Sequence, residues 1–296
     1  MSEYISEKKI RALEKKANEI RQSIVEMLIE AGSGHLAGPL GLSDIYAALY
    51  FHILEHDPQR PAWEERDRFI VSNGHTCPVH YATMAHAGYF PLEELRTLRK
   101  LGSRLQGHPE REKLPGVENT SGPLGAGLGQ AVGMAYAARM DARKFRIYCQ
   151  MSDGEQDTGV LWEAAMFAGK YKLNNVTGFI DRNNIQIDGM TEDIMPVEPL
   201  RDKWEAFNWH VIDVDGHNIE AFVDAVQEAK AVYEKPTVII AHTIPGKGIE
   251  EIEFDYRWHG NPPGKGPEDV WSNDEQGKRM LEELRTLGGK IQSEHQ

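Results

Sequence analysis

Residues 145–155 read Phe-Arg-Ile-Tyr-Cys-Gln-Met-Ser-Asp-Gly-Glu, and residues 176–184 read Val-Thr-Gly-Phe-Ile-Asp-Arg-Asn-Asn. Each stretch begins as an apolar strand and ends in polar residues, and an amphipathic helical stretch over residues 161–172 lies between them. A strand, a helix and a strand within about thirty residues form one βαβ crossover, which joins two parallel strands. Because the carboxyl ends of such strands lie at the same edge of a sheet, we expect Asp153 and Asn183 to lie close together.

These two residues offer the oxygen ligands that Mg²⁺ prefers, since this ion is usually held by one or two carboxylates together with substrate phosphates. Asp153 supplies a carboxylate, Asn183 supplies an amide oxygen without further negative charge, and the carbonyl of Ile185 offers a third ligand. Gly154 lets the backbone approach a diphosphate, and its N–H is a potential donor. Asp-Gly or Asn-Asn alone is more often an ordinary turn. At one crossover spacing, the pair indicates a diphosphate site with a divalent metal.

Strand and helix patterns alternate along the rest of the chain. Further strands are predicted at 68–71, 210–214 and 237–241. Helices are predicted over 5–31, from an N-cap at Ser43, and over 77–87, 125–140 and 218–233. This alternation predicts an α/β fold with a mainly parallel sheet and helices on both faces. We expect a single domain over residues 1–296, whose C-terminal extension (265–296) includes a helix near 273–287.

The composition excludes several classes of protein. A net charge of −13 over 296 residues argues against a surface for nucleic acid or an anionic membrane. No apolar run approaches the length of a membrane span, and the N-terminus lacks a secretory apolar stretch. Cys77 and Cys149 lie in apolar surroundings and are expected to be reduced core residues. We therefore expect a cytoplasmic protein.

Four histidines sit in glycine-rich surroundings. They are His35, His75, His108 and His259. Imidazole is the side chain best suited to move protons near neutral pH. Each of these histidines alone would more often make a structural hydrogen bond in a loop, but four in the same setting favour a role in proton transfer. Open α/β sheets bind ligands at the carboxyl ends of their strands, and His75 and Asp153 both follow predicted strands.

Several short motifs occur in one order along the chain. They are Ser33-Gly-His-Leu-Ala-Gly-Pro-Leu-Gly41, Arg66-Asp-Arg-Phe-Ile-Val-Ser-Asn-Gly-His75, Gly102-Ser-Arg-Leu-Gln-Gly-His-Pro109, Gly122-Pro-Leu-Gly-Ala-Gly127, the Asp153 and Asn183 pair, Ile185-Gln-Ile-Asp-Gly189 and Trp258-His-Gly260. Together they resemble the N-terminal, thiamine-diphosphate-binding domain of transketolase, over roughly residues 10–265.

The resemblance implies a role for each site residue. The metal ligands, for Mg²⁺ or for Ca²⁺ or Mn²⁺ in its place, would be Asp153, Asn183 and the carbonyl of Ile185. Contacts to thiamine diphosphate would come from His75, Gly122, Leu124, Gly154, Asn183, Ile187 and His259, of which Gly122, Leu124 and Ile187 would touch its rings. The residues that line the substrate channel and transfer protons would be His35, His75, His108 and His259.

The resemblance also implies the reaction and a partner. Transketolases transfer a two-carbon ketol unit from a ketose phosphate to an aldose phosphate in the pentose phosphate pathway, and the cofactor supplies the electron sink. A complete transketolase has two further domains after this one, and the first of them, the pyrimidine-binding domain, carries the Glu that activates the cofactor. We therefore expect the N-terminal subunit of a split transketolase, active with a separate C-terminal subunit in an α₂β₂ heterotetramer.

The sequence departs from the family pattern at a few positions. Ser152 replaces the usual first Gly of the metal motif, and Thr158 stands where transketolases carry a Glu that links the two active sites. Asp157, next to Thr158, is a candidate substitute for that Glu. Pro245 precedes Lys247 in a segment where some members have a basic residue, and Lys247 is a candidate phosphate contact.

Three alternatives to an ordinary transketolase subunit remain. A split enzyme for sulfonated or branched ketoses would have the same motifs, because the substrate-phosphate contacts lie largely on the other chain. A non-catalytic subunit that binds thiamine diphosphate is a weaker alternative, since binding alone does not need four histidines. The α subunits of 2-oxo-acid dehydrogenases share the metal motif but lack the Ser-Gly-His and Gly-His-Pro motifs.

Overall fold

The structure, a computed structural model, describes residues 5–267 and 272–290. The strands in these residues are β1 (Arg68–Val71), β2 (Ile147–Ser152), β3 (Val176–Arg182), β4 (Ile185–Gln186), β5 (Gly189–Met190), β6 (His210–Asp215) and β7 (Thr237–His242). Five of them form one parallel sheet in the order β1-β2-β3-β7-β6, while β4 and β5 form a small antiparallel hairpin. The predicted strands are all present, and the hairpin is an addition that the sequence patterns did not indicate.

Ten α-helices occur in the described residues, together with a π-helical turn over Leu49–Ile53. The helices are α1 (Glu7–Ala31), α2 (Ala37–Gly41), α3 (Ser43–Ala48), α4 (Cys77–Ala87), α5 (Ala126–Met140), α6 (Gly159–Lys170), α7 (Thr191–Ile194), α8 (Leu200–Ala206), α9 (Ile219–Ala231) and α10 (Asn273–Lys290). Short 3₁₀ turns cover Gly74–Thr76, Leu92–Thr97, Gly154–Asp157 and Tyr256–Trp258.

Alternate residues of the central strands pack into two separate cores, because successive side chains of a strand point to opposite faces. One face buries Phe69, Tyr148, Phe179 and Ile239 against α1, α3, α4 and α9. The opposite face buries Ile70, Cys149, Ile180 and Ile240 against α5, α6 and α8. The prediction of an α/β fold with a parallel sheet and helices on both faces is therefore confirmed.

The crossover from β2 to β3 has the predicted arrangement. The two strands pair in parallel, with Ser152 opposite Asp181. Asp153 follows the last residue of β2, and Asn183 follows the last residue of β3. Both residues consequently lie at the carboxyl edge of adjacent strands in the middle of the sheet.

The prediction that Ser43 caps a helix is wrong. The Ser43 hydroxyl lies inside the helical segment and donates to the carbonyl of Pro39, 3.1 Å away. The short helix α2 precedes α3 almost without interruption, so the backbone N–H groups near Ser43 already have carbonyl partners, as in the Tyr46 N to Leu42 O bond. A side-chain cap at this point has no donor to satisfy.

The terminal helix α10 packs against α1. Met280 and Leu284 are fully buried, and the side-chain amide of Asn18 donates to the Leu284 carbonyl over 2.9 Å. The described part of the predicted 265–296 extension thus contributes to the same core as α1. Residues 268–271 and 291–296 of that extension lie outside the described residues.

The composition led to two expectations, one about the cysteines and one about membrane-spanning helices. Cys77 and Cys149 are both buried and form no disulfide within the described part of the chain, as predicted. Of the helices that the structure describes, none combines the length and the apolar character needed to cross a bilayer.

Candidate active site

A cavity of about 450 Å³ opens at the carboxyl ends of β1, β2 and β3. The residues that line it are His35, His75, His108, Gly122, Leu124, Ser152, Asp153, Gly154, Asn183, Ile185, Gln186, Ile187, Asp188 and His259. Every residue that the sequence placed in the metal, cofactor or catalytic set is among them. Gln186 and Asp188, to which the sequence motifs assigned no role, reach the cavity because they lie on the β4–β5 hairpin.

Asp153 is buried at the floor of the cavity, and its two carboxylate oxygens differ in their surroundings. Oδ2 accepts hydrogen bonds from Arg182 Nη1 (3.0 Å), the Asn184 N–H (2.8 Å) and the Thr191 hydroxyl (3.3 Å). Within the described residues, Oδ1 accepts a single hydrogen bond, from the Gly154 N–H at 2.7 Å. Burial raises the pKa of Asp153, and the guanidinium of Arg182 opposes that rise.

The side chain of Asn183 is held in one orientation by two hydrogen bonds. Its Nδ2 donates to Asp181 Oδ2 over 2.8 Å, and its Oδ1 accepts from the Ile185 N–H at 3.0 Å. Asp181 is fully buried, and burial raises its pKa to about 7. Asn184 adopts a left-handed conformation (φ 65°), which turns the chain sharply and brings Ile185 back to the cavity.

The donor set at this corner suits a hard cation with a diphosphate. A carboxylate, a side-chain amide and a backbone carbonyl are all oxygen ligands, and Mg²⁺ completes its shell with water and phosphate oxygens. Among the described residues, no three His, Cys, Asp or Glu side chains come together as a metal site, so the protein alone does not fill the coordination shell. The Nδ1 of His259 is buried and has no hydrogen-bond partner in the described residues, so a ligand in the cavity could satisfy it.

Three of the four predicted histidines form a cluster on one wall. The ring centroids lie 4.9 Å apart for His35 and His75, 5.1 Å for His75 and His259, and 5.4 Å for His35 and His259. Burial lowers the pKa of His35 to about 3 and that of His259 to about 4, and it lowers the pKa of His75 well below its usual value. Burial also lowers the pKa of His108. These imidazoles are therefore neutral at physiological pH.

Glu155 is a buried carboxylate beside the site, and the sequence motifs assigned it no role. Its Oε1 accepts from the Ser72 hydroxyl (2.5 Å) and the Gly125 N–H (3.1 Å), and its Oε2 accepts from the Ser152 N–H (3.0 Å). Glu155 thereby joins the ends of β1 and β2 to the start of α5, where Gly122 and Leu124 precede the helix. The sequence feature that could have indicated a role for Glu155 is its position two residues after Asp153, in a turn that follows a strand.

Of the departures from the family pattern, Ser152 lines the cavity, whereas Asp157, Thr158 and Lys247 are not among its lining residues. The Thr158 hydroxyl donates to the carbonyl of Glu155 (2.8 Å) at the start of α6. Asp157 is exposed and receives a long hydrogen bond of 3.4 Å from the Gln186 side chain. Lys247 lines a second pocket, beside Asn184 and His242, and the expected phosphate contact is not supported by its position.

Comparison with known proteins identifies relatives over most of the chain. A family model described as the transketolase thiamine diphosphate binding domain matches residues 13–274. The subunit SqwG of a 6-deoxy-6-sulfo-D-fructose transketolase from Clostridium sp. (strain MSTE9) is 44% identical over 259 residues, which cover 88% of this chain and 93% of the relative. One subunit of the apulose-4-phosphate transketolase of Phocaeicola vulgatus is 39% identical over 254 residues, which cover 86% of this chain and 90% of the relative.

Full-length transketolases are similar to this chain over less than half of their own length. The solved transketolase from Leishmania mexicana has a TM-score of 0.82 and 34% sequence identity, and the match covers 95% of this chain and 45% of that one. The transketolase of Rattus norvegicus is 38% identical, over 93% of this chain and 44% of its own.

Proposed function

Because this chain belongs to the transketolase family, we propose that it is the N-terminal, thiamine-diphosphate-binding subunit of a split transketolase. One observation carries the proposal: a single cavity brings the oxygen ligands of Asp153 and Asn183 together with four neutral histidines. A site for binding alone does not require a set of proton carriers, whereas ketol transfer moves protons to and from sugar hydroxyls.

We propose that the metal is Mg²⁺, held by Asp153, Asn183 and the carbonyl of Ile185. Ca²⁺ or Mn²⁺ would fit the same oxygen ligands. His75, His259 and the backbone at Gly154 would contact the diphosphate, and Gly122, Leu124 and Ile187 would contact the rings. Bound thiamine diphosphate supplies the electron sink for cleaving the carbon–carbon bond beside a ketose carbonyl.

The histidines would act on the sugar hydroxyls. A neutral imidazole has one nitrogen that accepts a proton and one that donates, and the low pKa values of His35 and His259 keep both in this form. His35 and His108 would exchange protons with donor and acceptor hydroxyls in the channel. The unpartnered Nδ1 of His259 is available for a hydrogen bond to a bound ligand.

The partner would be a separate C-terminal subunit that carries the pyrimidine-binding domain, in an α₂β₂ assembly. Large apolar side chains remain exposed around the cavity, on α5 and α6 and at the end of α7, which is typical of a surface that another protein covers. They are Leu124, Met140, Val160, Met166, Phe167, Ile187, Ile194 and Met195. The two relatives of similar length are both named as subunits, which supports the existence of a partner subunit here.

The substrates would be ketose and aldose phosphates of the pentose phosphate pathway. An unusual ketose is a second candidate, because one of the similar subunits is named for a sulfonated fructose and the other for apulose 4-phosphate. A cytoplasmic location stays a prediction from the composition.

The first test is two-carbon transfer from xylulose 5-phosphate to ribose 5-phosphate, with thiamine diphosphate and Mg²⁺. We would assay this chain alone and with a C-terminal subunit from the same source, and repeat both with 6-deoxy-6-sulfo-D-fructose and apulose 4-phosphate as donors. Activity that is found only in the mixture supports a split enzyme. The preferred donor then distinguishes an ordinary transketolase from an enzyme for an unusual ketose. Activity of this chain by itself would contradict the need for a partner.

Substitution of the histidines separates an enzyme from a binding subunit. His35→Asn and His108→Asn should each reduce turnover of the reconstituted complex by about 10²- to 10⁴-fold, the usual contribution of a positioned acid or base. Unchanged turnover in both variants would mean that these histidines have no catalytic role.

A further inference from the structure

Arg182 is a buried cation at the metal corner that none of the assigned roles explains. Its side chain is 4% exposed, although arginine is rarely buried without paired charges. The guanidinium contacts three carboxylates: Nη1 lies 3.0 Å from Asp153 Oδ2, and Nη2 lies 2.7 Å from Glu192 and 3.0 Å from Glu198. The fork of a guanidinium can bond several acceptors at fixed angles, which a lysine ammonium cannot reproduce.

The bond to Asp153 decides which of its oxygens can bind a metal. Oδ2 accepts three hydrogen bonds, from Arg182, Asn184 and Thr191, and these occupy its lone pairs. Among the residues that the structure describes, Oδ1 accepts one bond, from the Gly154 N–H, and retains a free lone pair. Arg182 therefore helps to fix the carboxylate in the rotation that leaves Oδ1 for a cation.

The bonds to the two glutamates hold the far end of the hairpin. Arg182 ends β3, the hairpin of β4 and β5 follows, and Glu192 lies just after β5 at the start of α7. Glu192 Oε1 also accepts from the Val197 N–H (3.3 Å), and Glu198 Oε2 accepts from the Leu200 N–H (2.7 Å). The Arg182 side chain thus closes the loop that carries Ile185 and Ile187, both of which line the cavity.

We propose that Arg182 is a positioning residue of the metal site, which orients Asp153 through Oδ2 and anchors the hairpin that carries Ile185. This inference rests on the proposed function, because it concerns the metal that holds thiamine diphosphate. Three carboxylates face one guanidinium, so the corner keeps a net negative charge and still attracts a divalent cation. Partners that orient a metal ligand typically change metal affinity by about 10- to 100-fold when they are removed.

The test is the Mg²⁺ concentration at half-saturation of thiamine diphosphate binding, measured by calorimetry on the full chain with its partner subunit. Arg182→Met should raise that concentration by about 10- to 100-fold, and Arg182→Lys should recover little of the loss, because an ammonium cannot bridge three carboxylates. Arg201→Met is the matched control, since Arg201 pairs with Asp213 and Glu205 at the exposed surface. The control should require the same Mg²⁺ concentration as the wild type.

Milder variants keep the inference testable if Arg182→Met does not fold. Glu192→Gln and Glu198→Gln each remove one half-exposed partner of Arg182 and should raise the Mg²⁺ requirement by a smaller factor, with a larger effect in the double variant. An unchanged Mg²⁺ requirement in folded Arg182 variants, or in the double glutamate variant, overturns the positioning role, even if thermal stability falls. Wild-type binding that is independent of Mg²⁺ would instead overturn the metal assignment, and the inference with it.

Discussion

Asp153 is an acid whose burial favours the neutral form, and its neighbours favour the charged form. The guanidinium of Arg182 and two backbone N–H groups stabilise the carboxylate that burial destabilises. A cation at Oδ1 would also stabilise the carboxylate form of Asp153. These partners thus favour the carboxylate form, which the proposed role of a metal ligand requires.

Asp153→Ala should abolish Mg²⁺-dependent binding of thiamine diphosphate, because the diphosphate charge then lacks its main compensating ion. Calorimetry of the reconstituted complex measures this directly. Asp224→Ala is the control: it removes an exposed carboxylate on α9, away from the cavity, and this variant should bind thiamine diphosphate normally. Normal binding by the Asp153 variant would show that the metal site is misassigned.

The histidine cluster gives the protein a pH-dependent stability. The pKa of His35 is lowered to about 3 in the folded state, while the unfolded chain takes up a proton near pH 6.5. As the pH falls below about 6.5, His35 is therefore protonated mainly in the unfolded chain, which stabilises the unfolded state. The contribution of His35 to the free energy of unfolding thus decreases as the pH falls. At pH 5 the loss should be on the order of 1–2 kcal/mol for this residue.

Urea unfolding at pH 7 and pH 5 checks this expectation. The free energy of unfolding of the wild type should fall more between these pH values than that of His35→Gln, which lacks the titrating group. Equal falls in the two proteins would mean that His35 is charged, or has an ordinary pKa, in the folded state.

Helix α5 starts against the end of β1 at a distance that only glycine allows. A Cβ at Gly127 would lie 2.6 Å from the Cα of Ser72, and the Gly127 N–H donates to the Ser72 hydroxyl (3.1 Å). Because Ser72 in turn donates to Glu155, this contact holds the segment with Gly122 and Leu124 over the cavity. The close approach of α5 to β1 therefore positions Gly122 and Leu124, two of the proposed contacts to the cofactor rings.

Gly127→Ala should lower the free energy of unfolding by about 1–3 kcal/mol, the usual cost of overpacking, and should weaken thiamine diphosphate binding. Gly133→Ala in the same helix is the control, since a Cβ there meets no other atom of the described residues within 4 Å. That variant should be unchanged or more stable by up to about 1 kcal/mol. Equal stability of the two variants in urea unfolding would contradict the close contact.

Helix α6 leaves several apolar side chains exposed to solvent, and these side chains do not contribute to the core of the isolated chain. Met166 is 57% exposed and lies on the helix that follows the metal motif. A partner that completes the site would cover this side of the sheet, and desolvated apolar contacts would supply most of the association energy.

Met166→Glu should weaken association with the C-terminal subunit by about 10-fold or more, because it buries an unpaired charge in the interface. Sedimentation velocity of the mixed subunits measures the effect. Tyr233→Glu is the control, since Tyr233 is 78% exposed and follows α9 on the other core. Assembly of the Met166 variant at wild-type concentrations would exclude α6 from the interface.

The central strands, the crossover and most of the residues around the cavity could be predicted from the sequence alone. Apolar periodicity is local, and a strand followed by Asp-Gly or Asn-Asn places those residues at the carboxyl edge whatever the rest of the fold does. The glycine-flanked histidines were recognisable for the same reason, because each motif is contained in a few neighbouring residues.

The way in which these residues are held depends on contacts that become visible in the folded structure alone. Arg182 and Glu155 looked ordinary in the sequence, and their importance comes from partners such as Glu198 and Ser72, which are distant along the chain or belong to other elements. The low pKa values of His35, His75 and His259 arise mainly from burial, which depends on every element that packs around the cavity. Local patterns select the residues, whereas long-range contacts and exclusion of water set their orientation and charge.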